Sequence, residues 1–148
     1  MLQTSLVAFF LFNIFFSFIS AIELTDIQHL PTVNGCIKDY CFTLDHANTY
    51  EKKVKGLMYV TNLATTNGML FSWPNEQPIY MWMKNTYIPL DIIWLNSNFK
   101  IVHIEHEATP FDLTPLMATS NAQYIIEING GLANDYLFKP GDTVYFKN

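Results

Sequence analysis

Apolar and polar positions change their spacing several times along these 148 residues, and each change marks an element. Tyr40-Cys41-Phe42-Thr43-Leu44-Asp45 alternates with period two, which puts Tyr40, Phe42 and Leu44 on one face of a first strand. Asn48 followed by Glu51 has the form of a capping box, and Tyr50, Val54, Leu57 and Met58 then fall at helical spacing. Together they predict a short amphipathic helix with Glu51, Lys52, Lys53 and Lys55 on its solvated face. Thr65-Thr66-Asn67-Gly68 reads as a turn into a strand at Met69-Leu70-Phe71, and Pro74 and Pro78 bracket a loop. The apolar run that begins at Ile79 turns near Asn85 to Pro89, where proline stops a continuous strand.

Further on, Ile92-Ile93-Trp94-Leu95 and Lys100-Ile101-Val102-His103-Ile104-Glu105 are joined through Asn96-Ser97-Asn98, which predicts a hairpin. Periodicity fades over residues 107–121, where Pro110 and Pro115 interrupt, and a loop of that length is a candidate lid. Ala122-Gln123-Tyr124-Ile125-Ile126-Glu127-Ile128 resumes as a strand until Gly130-Gly131 breaks it. Residues 132–138 then make one or two helical turns. Lys139-Pro140-Gly141-Asp142 has Pro and Gly where a type II turn wants them, and Thr143-Val144-Tyr145-Phe146 is the last strand. The sum is an α+β fold, a mainly antiparallel curved sheet or small β-barrel with two short helices.

Composition narrows the class. Residues 1–21 carry no charge and are dominated by Phe, Leu, Ile and Ala, so they read as a signal peptide cut after the small pair Ser20-Ala21. Residues 22–39 form an exposed lead-in and residues 40–148 one globular domain, exported to a periplasmic or extracellular space. The membrane enters only as the anchor of a leader left uncleaved. In such a compartment Cys36 and Cys41, a nearby pair, are expected to oxidise. A loop that short is stapled with about 2 kcal/mol. Their spacing is not the C-x-x-C of a redox motif, and no second Cys pair completes a zinc site. A net charge of -5 with only 8 Lys and Arg leaves no basic face for nucleic acid.

Candidate chemistry concentrates in Tyr80-Met81-Trp82-Met83-Lys84-Asn85-Thr86-Tyr87-Ile88-Pro89-Leu90-Asp91, which packs an indole, an ammonium, an amide and a carboxyl group into an otherwise apolar run. If its start is a strand, Met81 and Met83 share one face and Trp82 and Lys84 the other. Lys55-Gly56-Leu57-Met58, Gly68-Met69-Leu70-Phe71, Trp82-Met83-Lys84-Asn85-Thr86 and Ile88-Pro89-Leu90-Asp91 follow one another as in the domain of unknown function 192 family, which the chain resembles. Glu127 before Gly130 and the Pro140-Gly141-Asp142 turn fit the end of that pattern, so the resemblance runs over residues 42–146. Lys55 departs from it, since Arg is usual there, and so does Met81, where an aromatic often stands. The resemblance implies a bacterial or archaeal, often exported protein with no assigned activity.

Four kinds of function fit the residues. In a binding module, Trp82, Lys84, Asn85, Thr86, Asp91 and Glu127 line an apolar pocket for an unidentified small ligand, with Tyr87 as a second wall. Lys84 takes an anionic group, Asn85 fixes orientation and the two acids accept hydrogen bonds. A purely structural account instead pairs Lys84 with Asp91 across a turn. In a hydrolase-like enzyme, Asp91 and Glu127 act as paired acids or Lys84 as a base, although no nucleophile elbow, H-E-x-x-H or phosphate loop is present. A soft copper site draws on Met58, Met69, Met81, Met83 and Met117 with His46, His103 and His106, against the plainer use of Met as core filler. A protein-interaction domain uses the lead-in and residues 107–121. No cofactor signature is found, and the binding module is the reading taken forward. Non-reducing mass spectrometry of protein from the exported fraction should find Cys36 joined to Cys41; two free thiols would contradict the staple.

Overall fold

Two adjacent strands, mainly apolar and almost wholly buried, form the middle of the sheet, and every other element takes its place from them. These are β5 (Leu90–Leu95), buried throughout, and β8 (Ala122–Asn129), paired antiparallel with Ile92 opposite Glu127 and Ile93 opposite Ile126. Burial on both faces is what a continuous apolar run predicts, and alternation sorts its side chains into two cores. Ile93, Leu95, Ile126 and Ile128 pack with Leu44 and Leu70 on one face; Leu90, Ile92, Trp94 and Ile125 pack with Phe71 and Met83 on the other.

The computed structural model describes residues 31–147; the leader at residues 1–21 and the first part of the lead-in lie outside the described residues. In chain order the remaining elements are β1 (Thr32–Ile37), β2 (Tyr40–Ala47), α1 (Tyr50–Lys55), β3 (Asn67–Gln77), β4 (Tyr80–Met81), β6 (Ile101–Ala108), β7 (Leu116–Met117), α2 (Leu132–Asp135) and β9 (Val144–Lys147). Seven strands make one curled sheet in the order β6-β5-β8-β3-β2-β1-β9, and β4 pairs with β7 as a small ribbon. A bridge from Lys100 to Thr143, with Val144 N–H donating to Phe99 C=O, draws the ends of the sheet toward one another. The α+β class and the largely antiparallel, curved sheet are therefore as the alternation predicts. No helix among the described residues is long and apolar enough to cross a membrane.

Three local outcomes differ from the reading of the sequence. The sheet starts earlier, because β1 lies within the segment expected to be a lead-in; Thr32-Val33-Asn34-Gly35 alternates weakly, yet it is paired on both sides, by β2 and β9. Cys36 stands opposite Cys41 in that hairpin, and the two are joined in a disulfide. Next, the turn predicted at residues 65–68 is present at Thr65 and Thr66, but the strand it leads into, β3, already begins at Asn67 and runs parallel to β2 after the crossover through α1. Gly68 is needed there for close approach, since a Cβ on it would lie 2.3 Å from the Glu127 carbonyl oxygen. Finally, α1 is shorter than expected. Thr49, not Asn48, caps it, and Gly56, with φ 48 and ψ -137, ends it in a conformation that favours glycine. Leu57 turns into the core, but Tyr50 and Val54 remain exposed.

Asp91 locks these pieces together. Its side chain is fully buried; Oδ1 accepts hydrogen bonds from the backbone N–H of Glu107 (2.8 Å) and Gly131 (3.1 Å), and Oδ2 from that of Ala133 (2.7 Å). Glu107 (φ 50) and Gly131 (φ 93) both have left-handed backbone, the first at an irregularity in the pairing of β6 with β5 and the second at the start of α2. The residue capping α2, Gly131, has no side chain to offer, and Asp91 supplies the acceptor from across the sheet. Asp91→Ala should lower stability by about 3 kcal/mol or more, because three donors lose their partner together, whereas Asp91→Asn should cost less. Urea unfolding checks both; an Asp91→Ala loss within experimental error would remove the residue from this role.

Candidate functional site

Glu127, like Asp91, is an acid that the strand pattern directs into an apolar face, but on the opposite side of the sheet. It follows Ile126 on β8, so it points away from the Ile126 core and toward the side of Ile92 and Met69, its neighbours on β5 and β3. Only 4% of it is exposed, and its Oε2 has no hydrogen-bond partner among the described residues. No cation among them closes to ion-pair distance, and burial alone pushes its carboxyl up to about 8. At neutral pH the group is therefore mainly a protonated acid, able to donate as well as accept.

Above it is a narrow cavity of about 20 Å3, enough for a single water-sized group, bounded by Lys53, Lys55, Leu57, Phe71, Lys84 and Glu127. It adjoins an open groove of about 290 Å3 walled by Tyr50, Val54, Trp73, Tyr80 and Trp82. One bank comes from α1 and the turn after it, the other from the chemically mixed run. On both banks a lysine lies over an indole: Lys53 Nζ is 4.8 Å from the Trp73 ring and Lys84 Nζ 5.1 Å from the Trp82 ring. Partial burial lowers the pKa of the Lys53 ammonium.

The run is held in place by contacts at each end. The buried Trp94 indole N–H donates to Ile79 C=O (3.2 Å), and Met83 N–H donates to Asp112 C=O (2.9 Å). Met83 is fully buried while Trp82 and Lys84 are exposed; the strand β4 ends at Met81, which borders the cavity with Trp82 and Lys84 instead of sharing the buried side with Met83. Asn85 adopts φ 53; its C=O accepts from Tyr59 N–H (2.9 Å) and its Nδ2 donates to the Tyr59 hydroxyl (2.9 Å). Thr86 is buried and its hydroxyl donates to Lys84 C=O (3.2 Å). Asn85 and Thr86 thus shape the turn that presents Trp82 and Lys84.

Of the residues singled out from the sequence, Trp82, Lys84, Thr86 and Glu127 border the same cavity. Asn85 braces it from behind. Asp91 is not with them: it pairs with Ile128 on β5/β8, one residue out of step with Glu127, so the two acids are on opposite faces of the sheet. Its oxygens take backbone N–H groups, and Lys84 makes no ion pair with it among the described residues. Tyr87 packs against Tyr59 and Phe111. Of the methionine and histidine set, Met58 and Met81 border the cavity, Met83 is in the core, His46 bonds Ser72 (2.8 Å) and His103 lies tilted against Trp94. Among the described residues no group of three His, Cys, Asp or Glu is arranged to hold a metal. Tyr50, Lys53 and Trp73 also belong to the cleft, and their residue types and spacing alone do not mark them as site residues. The available signal was three lysines beside apolar Tyr50 and Val54, which fits an ordinary surface helix equally well.

Because the folded state keeps a proton on Glu127 that the unfolded chain has lost between about pH 4.5 and 8, the folded protein binds more protons in that window and stability falls as pH rises. Glu127→Gln should flatten this slope, by roughly 1 kcal/mol per pH unit. Denaturant midpoints of both proteins from pH 5 to 9 check it; parallel profiles would contradict a neutral buried acid.

Comparison with known proteins agrees with this architecture. A protein of unknown function from Novosphingobium aromaticivorans DSM 12444 superposes with a TM-score of 0.70 at 36% identity, covering 76% of this chain and 82% of its own. A protein from Sinorhizobium meliloti 1021, described as a candidate transcription regulator, gives 0.73 at 30% identity over 78% of this chain and 92% of its own. No functionally curated protein matches. The sequence profile of the domain of unknown function 192 family (DUF192, uncharacterized ACR) matches residues 33–146, and the chain belongs to that family.

Proposed function

We propose that this protein is an exported small-ligand-binding module whose site is the cleft between α1 and the run from Tyr80 to Thr86. The observation that carries the reading is Glu127: a carboxyl group with 4% exposure, an oxygen lacking a partner among the described residues, and a cavity in front of it. Burying such a group without a partner costs a few kcal/mol, and a ligand that completes its hydrogen bonds recovers much of that. Aromatic walls and a few polar groups at one end are the usual make-up of a small-molecule site. The disulfide suits an oxidising compartment, which supports export.

Binding rather than catalysis is favoured because the two acids that paired acid–base work requires, Asp91 and Glu127, are separated by the sheet. The regulator description of the Sinorhizobium protein is not extended to this chain, whose eight cations stand against thirteen acids. A small-molecule screen followed by two-dimensional NMR should move resonances of Trp82, Lys84 and Glu127 together. Trp82→Ala should weaken any such ligand by about tenfold, as loss of a stacking wall does, and leave the fold intact. Ligands that bind elsewhere, with the cleft unperturbed, would reject the site.

A further inference from the structure

The lining of the cleft carries a charge pattern that the rest of the protein does not share. The chain is acidic overall, at -5, yet Lys53, Lys55 and Lys84 border one small cavity and Glu127 is the only acid among its lining residues. Two lysines come from α1, where cations near a helix C-terminus need no ligand to explain them. Lys84 has no such explanation: it reaches the same cavity from a different segment, after a turn braced by Asn85 and Thr86. The buried carboxyl is aimed into this ring of cations without pairing to any of them.

Size divides the cleft into two compartments. The space at Glu127, about 20 Å3, admits one oxygen-bearing group, while the adjoining groove of about 290 Å3 has room for a ring and has indoles to stack on it. Lysines satisfy an anion as mobile point charges, and a protonated carboxyl can donate a hydrogen bond to one of its oxygens. We propose that the ligand is a small organic acid on a flat ring, its carboxylate seated among Lys53, Lys55 and Lys84 over Glu127 and its ring against Trp73 and Trp82. This assignment rests on the reading of the cleft as a ligand site.

A pH dependence follows from the groups that face the anion. These are Tyr50, Lys53 and Lys55 on the α1 bank, Tyr80 and Lys84 on the other, and Glu127 at the floor. Ionisation of Glu127, at about 8, places a negative charge under the carboxylate and removes the donor, so affinity falls as pH rises through that value. Loss of charge from Lys53 acts in the same direction, and Glu127→Gln separates the two, because the amide donates at every pH.

The test uses the disulfide-bonded exported protein and two matched pairs of probes: benzoate and benzamide, and indole-3-acetate and indole-3-acetamide. Binding is followed by NMR and calorimetry at pH 6.5. At least one acid should bind about tenfold or more tightly than its neutral partner. That preference should shrink in Lys53→Met and Lys84→Met variants whose near-ultraviolet circular dichroism is unchanged. Weakening of the same acid between pH 7 and 9 should be reduced in Glu127→Gln. Neutral probes that bind the cleft as tightly as the acids would overturn the anion assignment and leave the ligand site standing. If no probe of either kind moves the resonances of Trp73, Trp82 or Glu127 at millimolar concentration, the assignment and the reading beneath it both fall.

Discussion

A single buried carboxyl group, that of Asp91, sets the geometry on which the rest of the fold depends. Its two oxygens gather backbone N–H groups from the far part of β6 and from the start of α2, segments separated in sequence and brought together at the end of β5. The alternative would be three amides without partners beside an apolar core, where each orphaned donor costs on the order of 1–3 kcal/mol. Because strand alternation puts Asp91 and Glu127 on opposite faces, the sheet carries two buried acids with opposite circumstances. One is filled with donors from its own chain. The other meets a cavity. The difference follows from local backbone: left-handed residues and a helix start surround Asp91, while Glu127 looks out between two packed banks of side chains.

Much of the sheet was legible because its signals are local. The hairpin of β5 and β6 could be read from Asn96-Ser97-Asn98, and the reason is visible in the Asn96 side chain, whose Oδ1 accepts from both Asn98 and Lys100 N–H. The turn at residues 139–142 has the positive φ at Gly141 that its sequence asks for. What could not be read were decisions taken at long range. β1 is an ordinary-looking segment made into a strand by neighbours from both ends of the chain, and nothing in the turn at residues 65–68 reveals that the strand after it runs parallel to β2 and passes close to β8 at Gly68. Tyr50 and Val54 had the spacing of core residues; Gly56 stops the helix before that face can be covered.

The candidate site divides in the same way. Trp82 and Lys84 on one side and Met83 on the other match period two, but Met81 borders the cavity with Trp82 and Lys84, so the outward face of the run was readable only in part. Asp91 looked like a site residue because nothing local reveals that its donors arrive from Glu107, Gly131 and Ala133. Glu127 gave the reverse problem: a lone acid in an apolar strand is conspicuous, but its companions in the cleft are supplied by an exposed helix and by Trp73 on β3. Lys55, standing where an Arg is usual, borders the cavity without pairing to Glu127. A planar guanidinium forks onto a carboxylate in a way an ammonium cannot, so a contact of that kind is not open to Lys55.

The order of the sheet also governs how the molecule is assembled. β1 is held between β2, its immediate successor, and β9, the last strand of the chain. The first pairing closes a two-residue turn and can form as soon as that hairpin exists; the second must wait until residues 144–147 arrive and must close a loop of about a hundred residues. Until then one side of β1 is a row of unpaired amides and carbonyls, the kind of edge to which a second chain adds. The last strand is therefore a cover as much as a structural member, and the strand it covers belongs to the hairpin that the Cys36–Cys41 disulfide closes.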